Sequence, residues 1–404
     1  SDWLPRSYVT VNGQRVEIPA DCTQFHRPTG STRLGLATVS TLDLANIAGG
    51  VRQTTVVSEV GEIYSSLENL YIATPHWWWS RTGDHKNHTY LHKFDVTQRD
   101  RVSYVGSGVV EGSIVDQFSM DEHNGFLRIA TTIHNWSTTS GPNGSVSTTS
   151  NTTDNKVFVL AENSGALVVV GQTPSLAPGE LIYSSRFSGD RGFVVTYKQV
   201  DPLFTLDLAD PTHPKVVGEL KIPGFSTYIH MLDPTHLLTI GNETTTTSDG
   251  REIRTGMSLQ IFDVSDMAKP RQADKILIGS QSSWSEALYD HKAFNYFAKT
   301  GTLAIPFTDW NSRGSDYWGS FLSAVKLFKV DASTYQLSAA GQIDHSDLYR
   351  SHNRYDWGYW YMPWVRRSVL IEDYVFSFSF AGVKVNQVSD LATVKSFNFP
   401  LETY

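Results

Sequence analysis

Cysteine is nearly missing from this sequence. Cys22 is the single one in 404 residues, so no disulfide can form within the chain and cysteine pairing gives no clue to redox compartment. Alone, it reads first as a small buried hydrophobe rather than a nucleophile. Charge is sparse as well: Asp, Glu, Lys and Arg make up 18%, with 33 basic residues against 41 acidic ones for a net charge of −8. A chain with no cationic footprint has little to offer a phosphate backbone, which excludes nucleic acid as the expected partner. No run approaches the ~20 apolar residues of a helical membrane span. Helical periodicity is almost absent, which removes coiled coils and bundles. Catalytic signatures are missing too. There is no Gly-x-Ser-x-Gly elbow, phosphate loop or dinucleotide fingerprint, and no His-Glu-x-x-His or paired-cysteine motif.

What the chain has in plenty is aromatic: 11 Trp, 18 Tyr and 20 Phe. That content argues against disorder and leaves aromatic side chains over for a surface. Five Asn-x-Ser/Thr sequons stand at Asn87, Asn135, Asn143, Asn151 and Asn242, although a chain this rich in Ser and Thr produces some by chance. The first residue is Ser1 rather than Met, as in a mature or trimmed polypeptide.

A repeat emerges once a period is sought. Two apolar residues flank a mostly acidic one at Leu42-Asp43-Leu44, Phe94-Asp95-Val96, Leu206-Asp207-Leu208 and Phe262-Asp263-Val264. Degenerate copies are Phe158-Val159-Leu160, Phe328-Lys329-Val330 and Asn386-Gln387-Val388. The seven copies recur about every 57 residues. Upstream of six of them lies a β-branched or aromatic run, as in Leu70–Thr74, Leu127–Thr131, Phe193–Thr196, Leu237–Ile240, Leu303–Pro306 and Tyr374–Ser377. Earlier strand-like runs (Ile63–Leu67, Ile182–Phe187, Tyr228–Leu232) and a later one (Val216–Ile222) bring the unit to four short strands joined by tight turns. Four strands per repeat predict an all-β fold, a β-propeller of seven four-stranded antiparallel blades, or eight if sequence upstream is missing. Residues 1–34 form an N-terminal segment, and 35–404 the propeller domain. The first copy is incomplete. Its only hairpin candidate is Tyr8–Val11 with Arg15–Ile18, which would either close a seventh blade with the C-terminal strands or leave closure to sequence further upstream.

Several stretches also resemble a known family: Gln117–Glu122 followed by Leu127–Thr132, Gly192–Phe204, Asp207–Gly224 and Ser285–Phe294. They are similar to the secreted bacterial and archaeal β-propeller domain family distantly related to WD-40 repeats. The resemblance spans roughly residues 35 to 395. It implies a place outside the cytoplasm, secreted or in the cell envelope, and more sequence upstream. It brings no assigned reaction, so no catalytic residue carries over.

In a propeller, the loops between second and third strands and those between blades emerge on one face. The sequence would place Trp77, Trp78, Trp79, Trp136, Trp284, Trp310, Trp318, Trp357 and Trp360 there, with Trp364 at the border, beside Asp309 and Arg354. Flat aromatics beside planar polar groups suit a sugar face, and Trp, Tyr and Arg equally suit a protein partner. Packing of the long insertions on one another is the bland alternative. His76, His85, His88, His134, His345 and His352 map to the same face and make a transition metal the rival ligand. Asp309-x-Asn311 with Gly314 and Asp316 vaguely resembles a calcium loop, although Arg313 stands where an oxygen ligand belongs. The cofactor therefore stays open between none, a transition metal and calcium. Asp290-His291, Lys292 and Asp121 fall on the opposite face as turn anchors, and the Ser137–Asp154 tract reads as a flexible insertion. The leading expectation is a binding or scaffold module for a glycan or a protein. A metal-assisted enzyme (a hydrolase, lyase or oxidoreductase) using the same face and a structural envelope component are the alternatives.

Overall fold

The computed structural model describes residues 6–18, 21–28, 35–77, 83–141, 143, 145–198, 201–310, 321–350 and 364–399. The chain divides into two compact units, Ser1–Gly179 with Asp210–Pro214, and Glu180–Ala209 with Lys215–Tyr404.

The first unit opens on a hairpin of Ser7–Val11 (β1) and Gln14–Ile18 (β2). Asn12 and Gly13 join them at φ 52° and 80°. A two-residue turn between twisted strands needs both residues left-handed, and Asn-Gly tolerates that best. Phe25–His26 (β3), Ala37–Leu42 (β4) and Val51–Val56 (β5) form a three-stranded sheet in the order β3-β5-β4. Two meanders follow. One is Glu62–Ser65 (β6), Asn69–Trp77 (β7), Gly83–Asp95 (β8) and Ser103–Glu111 (β9). The next is Met120–His123 (β10), Phe126–Ser140 (β11), Val146–Asn163 (β12) and Ala166–Gln172 (β13). They fuse into one eight-stranded sheet, because β8 pairs with β11 and β9 runs parallel to β13. A Cβ on Gly106 would sit 2.0 Å from the Gly165 carbonyl oxygen, so only glycine admits that parallel approach.

The second unit holds four meanders. They are Leu181–Ser188 (β14), Arg191–Tyr197 (β15), Asp201–Asp207 (β16) and Lys215–Ile222 (β17), then Phe225–Asp233 (β18), His236–Thr246 (β19), Glu252–Asp263 (β20) and Arg271–Ile278 (β21). After these come Asn295–Phe297 (β22), Thr302–Trp310 (β23), Phe321–Asp331 (β24) and Gln336–Asp344 (β25), with a single helical turn Ser346–Arg350 (α1). Val365–Ile371 (β26), Tyr374–Ser379 (β27), Gly382–Gln387 (β28) and Thr393–Asn398 (β29) end the series. Each is a four-stranded antiparallel sheet in sequence order.

The recurring acidic residue now has a physical cause. It closes the third strand of a meander by accepting the backbone N–H two residues on. Asp95 takes Thr97 N at 2.8 Å, Asp207 takes Ala209 N at 3.1 Å and Asp263 takes Ser265 N at 2.9 Å. Such Asx turns stop a strand and reverse it. Near Lys329 the turn falls two residues later, with Asp331 accepting Ser333 N at 2.8 Å. All six β-branched runs are second strands, inside β7, β11, β15, β19, β23 and β27. They are largely buried, and the cores lie between successive meanders of a unit. Leu238 and Ile240 of β19 pack with Leu303 and Ile305 of β23, and Phe193 of β15 packs with Leu237 of β19.

Asp43 makes the same turn, taking Ala45 N at 2.9 Å. By that register β4 is a third strand and β5 a fourth. The first sheet therefore lacks a first and a second strand among the described residues. The β1–β2 hairpin forms a sheet of its own, and the C-terminal sheet is complete at four strands without it.

Candidate functional site

In the first unit, residues expected in loops lie on strands. β7 continues to Trp77 and β8 begins at Gly83, with His76 opposite His88 and Trp77 opposite Asn87. β11 continues to Ser140, and Trp136 pairs with His85 across the join of the two meanders. The Ser/Thr tract expected to be a flexible insertion is a ladder from Ser137 opposite Ser150 to Ser140 opposite Val146. Its many threonines suit extended backbone.

This strand geometry decides what the histidines can do. Side chains alternate between faces along a strand. His76 and His88 share one face, while His85, His134 and Trp136 fall on the other. His76 stands edge-on to Tyr90 at 5.5 Å between centroids, and His85 lies 5.5 Å from the Trp136 ring with its Nε2 3.2 Å from Thr138 Oγ1. His88 Nδ1 is buried with no hydrogen-bond partner among the described residues. Burial holds His134 below its ordinary pKa. Among the described residues no three His, Cys, Asp or Glu side chains are grouped so as to hold a metal ion. The hub of the patch is Asn87, which is 1% exposed. Its Nδ2 donates to Ser113 Oγ at 3.0 Å and to the Thr132 carbonyl at 3.1 Å, and its Oδ1 accepts the His134 N–H at 2.7 Å.

Two sequons are thereby accounted for as structure. Asn87 is locked in that network, and Asn242, also buried, accepts Arg254 Nε at 2.6 Å. Both side chains are buried, so neither amide nitrogen is open to a glycosyl acceptor reaction once the protein is folded.

In the second unit Trp284 and Thr308 exchange backbone hydrogen bonds of 2.8 Å. The Trp284 ring lies 5.4 Å from Trp364 and 6.4 Å from Tyr289, nearly parallel to the latter. Arg254 fastens the turn before it, donating to the carbonyls of Gln281 at 2.8 Å and Ser283 at 2.6 Å. Asp309 accepts from the Ser280 N–H at 2.9 Å and from its hydroxyl. Burial lowers the Lys326 pKa against the opposing pull of Asp309, and its ammonium lies 4.2 Å from the Phe307 ring centre. Trp310 packs on Phe321 at 4.5 Å. His345 stands apart, fully buried, with Nε2 2.7 Å from Ser377 Oγ and Nδ1 3.1 Å from Ser379 Oγ. With both ring nitrogens so occupied it is a packed structural group with no lone pair turned outward for a metal. Trp78, Trp79, Trp318, His352, Arg354, Trp357 and Trp360, and the calcium-like loop beyond Trp310, lie outside the described residues.

Glu286, Arg366 and Arg367, which the sequence reading passed over, complete this patch, and Asp290, expected on the opposite face between first and second strands, joins them because its turn precedes β22 and meets the same Arg367. Between Trp284 and β22 the chain makes two 3-10 turns, Glu286–Leu288 and His291–Ala293, capped by Ser285 and Asp290. Glu286 is 7% exposed. It accepts Arg366 Nη2 at 2.7 Å and a second, shorter bond from Nε, and Arg367 Nη1 approaches at 2.7 Å. Arg367 also reaches Asp290. Burial alone would raise the Glu286 carboxyl, but the two guanidinium groups outweigh it and hold it below its ordinary value. The only trace in sequence was Arg366-Arg367 following Trp364, 80 positions from Glu286. Tyr289, 75% exposed, and Phe380, 51% exposed and 5.6 Å from the Arg366 guanidinium, flank the cluster.

Glu286→Gln keeps the shape of this network and removes its charge. The arginines are partly exposed, so a loss of about 2 kcal/mol is expected, read as a lower urea midpoint. Because the native carboxyl is depressed, its contribution is complete above the ordinary carboxylate range and vanishes as pH falls through the folded value. The variant should therefore lose less than the parent on acidification in that range.

Strand-ordered meanders packed face to face make this a propeller-type, all-β protein. The chain belongs to the family described as "Beta propeller domain", which matches residues 1–391. An uncharacterised protein of Archaeoglobus fulgidus is 35% identical over 242 residues, 60% of this chain and 32% of that protein. One of Methanocaldococcus jannaschii is 37% identical over 202 residues, 50% of this chain and 28% of that protein. The matched part is thus about a third of the length of these relatives. Solved structures are more distant. Chaetomium thermophilum Sqt1 bound to the N-terminus of ribosomal protein L10 is 10% identical with a TM-score of 0.38, over 84% of this chain and 87% of that one. A PL25 ulvan lyase bound to its saccharide is 8% identical with a TM-score of 0.39, over 83% and 84%.

Proposed function

We propose that this propeller domain works outside the cytoplasm as a binding module, and that it holds a protein partner at the Trp284–Trp364 patch of its second unit. The observation that carries this reading is the combination of rigid support and exposed aromatic area. Tyr289 and Phe380 stand out to solvent, while Glu286, Arg366 and Arg367 fix the backbone beneath them. Aromatic and arginine side chains held in place before contact lose little entropy on binding, which is how interface hot spots gain their strength. The extracytoplasmic placement rests on the family resemblance.

The test is capture from envelope fractions by the parent chain, with Tyr289→Ala and Phe380→Ala alongside. Each variant is expected to weaken the captured protein at least tenfold, about 1.4 kcal/mol, with circular dichroism unchanged. Equal capture by all three would overturn the proposal. A glycan on an array that binds the parent and fails with both variants would replace the protein partner by a saccharide.

A further inference from the structure

We propose that the β1–β2 hairpin is the missing inner half of the first sheet, a strap that docks on the open edge of β4. Two incomplete pieces on the same unit carry this. Among the described residues the first sheet has its third and fourth strands and lacks its first and second, so β4 presents an edge with no paired strand where every other meander has one. A free edge of that length is a template for strand addition. The hairpin has the two strands the sheet lacks, and an isolated two-stranded hairpin is marginal in water. Val9 and Val16 are 41% and 48% exposed in it.

The side-chain pattern selects one register. Ala37 of β4 packs with Val56, Ile72 and Phe94, and Val39 lies against them, while Thr38 and Ser40 face away. In the hairpin Val9 pairs with Val16 on the face shared by Ile18, and Tyr8 pairs with Glu17 on the opposite face. Antiparallel pairing of Val16 with Val39 and Ile18 with Ala37 extends the apolar side and sets Glu17 beside Thr38. A slip of one residue would reverse every side chain.

The tether allows it. Ala37 and His26 are both partners of Val56, so Ile18 would end level with β3. Three strand spacings, about 14 Å, then separate Ile18 from Phe25, and the seven peptide steps between them reach roughly 23 Å.

The experiment places Glu17→Cys and Thr38→Cys in a Cys22→Ser background, since Cys22 is exposed rather than buried as its type suggests, with oxidation and peptide mapping. The expected product is a 17–38 disulfide within one chain in most of the monomer. A disulfide-linked dimer, which would give the edge to a second copy, overturns the proposal, and so does the absence of the cross-link. Hydrogen exchange of β4 provides a second readout with no engineered cysteine. Val16→Asp places a charge on the docking face of the hairpin and should speed β4 amide exchange at least tenfold. Unchanged β4 exchange contradicts the strap.

Discussion

Between pH 7 and pH 5 both units are expected to lose stability, by roughly 1.4 kcal/mol per pH unit for each histidine the fold keeps neutral. His92 in the first unit and His345 in the second are fully buried, and burial pushes the pKa of each down to about 4. His230 is lowered to about 4 as well, by burial first and then by Arg186. An unfolded chain protonates these rings near the ordinary value of about 6.5, while the folded chain does not. Stability is therefore complete above that value, falls as pH drops from there to about 4, and levels off below. His92 has Nδ1 3.2 Å from the Tyr104 hydroxyl, and its Nε2 is buried with no partner among the described residues, so a proton there would gain nothing. Urea midpoints at pH 7, 6 and 5 check this. His345→Gln, which can still bond the serines, should flatten the slope of the second unit by one proton. Identical slopes for parent and variant would remove His345 from the account.

Asn87→Ala is expected to destabilise the first unit by about 3 kcal/mol. The amide makes three hydrogen bonds, and its loss strands a buried carbonyl, a hydroxyl and an N–H that water reaches poorly. The effect should centre on the β8–β11 join, because among the described residues the Asn87 side chain bonds Ser113, Thr132 and His134. Hydrogen exchange would then show the amides near His134 opening while those of the second unit stay protected. Thermal unfolding of the variant within a degree of the parent would mean that solvent already satisfies these groups.

The fold was legible because its repeat has a local cause. An aspartate that caps its own strand end is visible as a residue type at a period, and the buried second strands are visible as β-branched runs. Asp95, Asp207 and Asp263 marked strand ends for that reason. The site was less legible. His76, His85 and His88 are close in sequence and seemed one loop, but a strand alternates its faces, and the loop assignment hid that the three are divided between them. Threonine-rich sequence from Ser137 to Asp154 looked like solvated insertion because its polarity is that of a loop, whereas its backbone preference is that of a strand. Glu286 and Arg366 could not have been paired at all from residue types, since their contact depends on how β26 packs against the turn before β22. Trp284 was found as a tryptophan; what supports it was not.

Oxidative footprinting of Tyr289 and Phe380, on the chain alone and on the chain bound in an envelope fraction, tests the binding claim most directly. Protection of both side chains on binding, with Trp136 of the first unit labelled equally in the two states, is the predicted result. Protection of Trp136 with Tyr289 and Phe380 unchanged would contradict it.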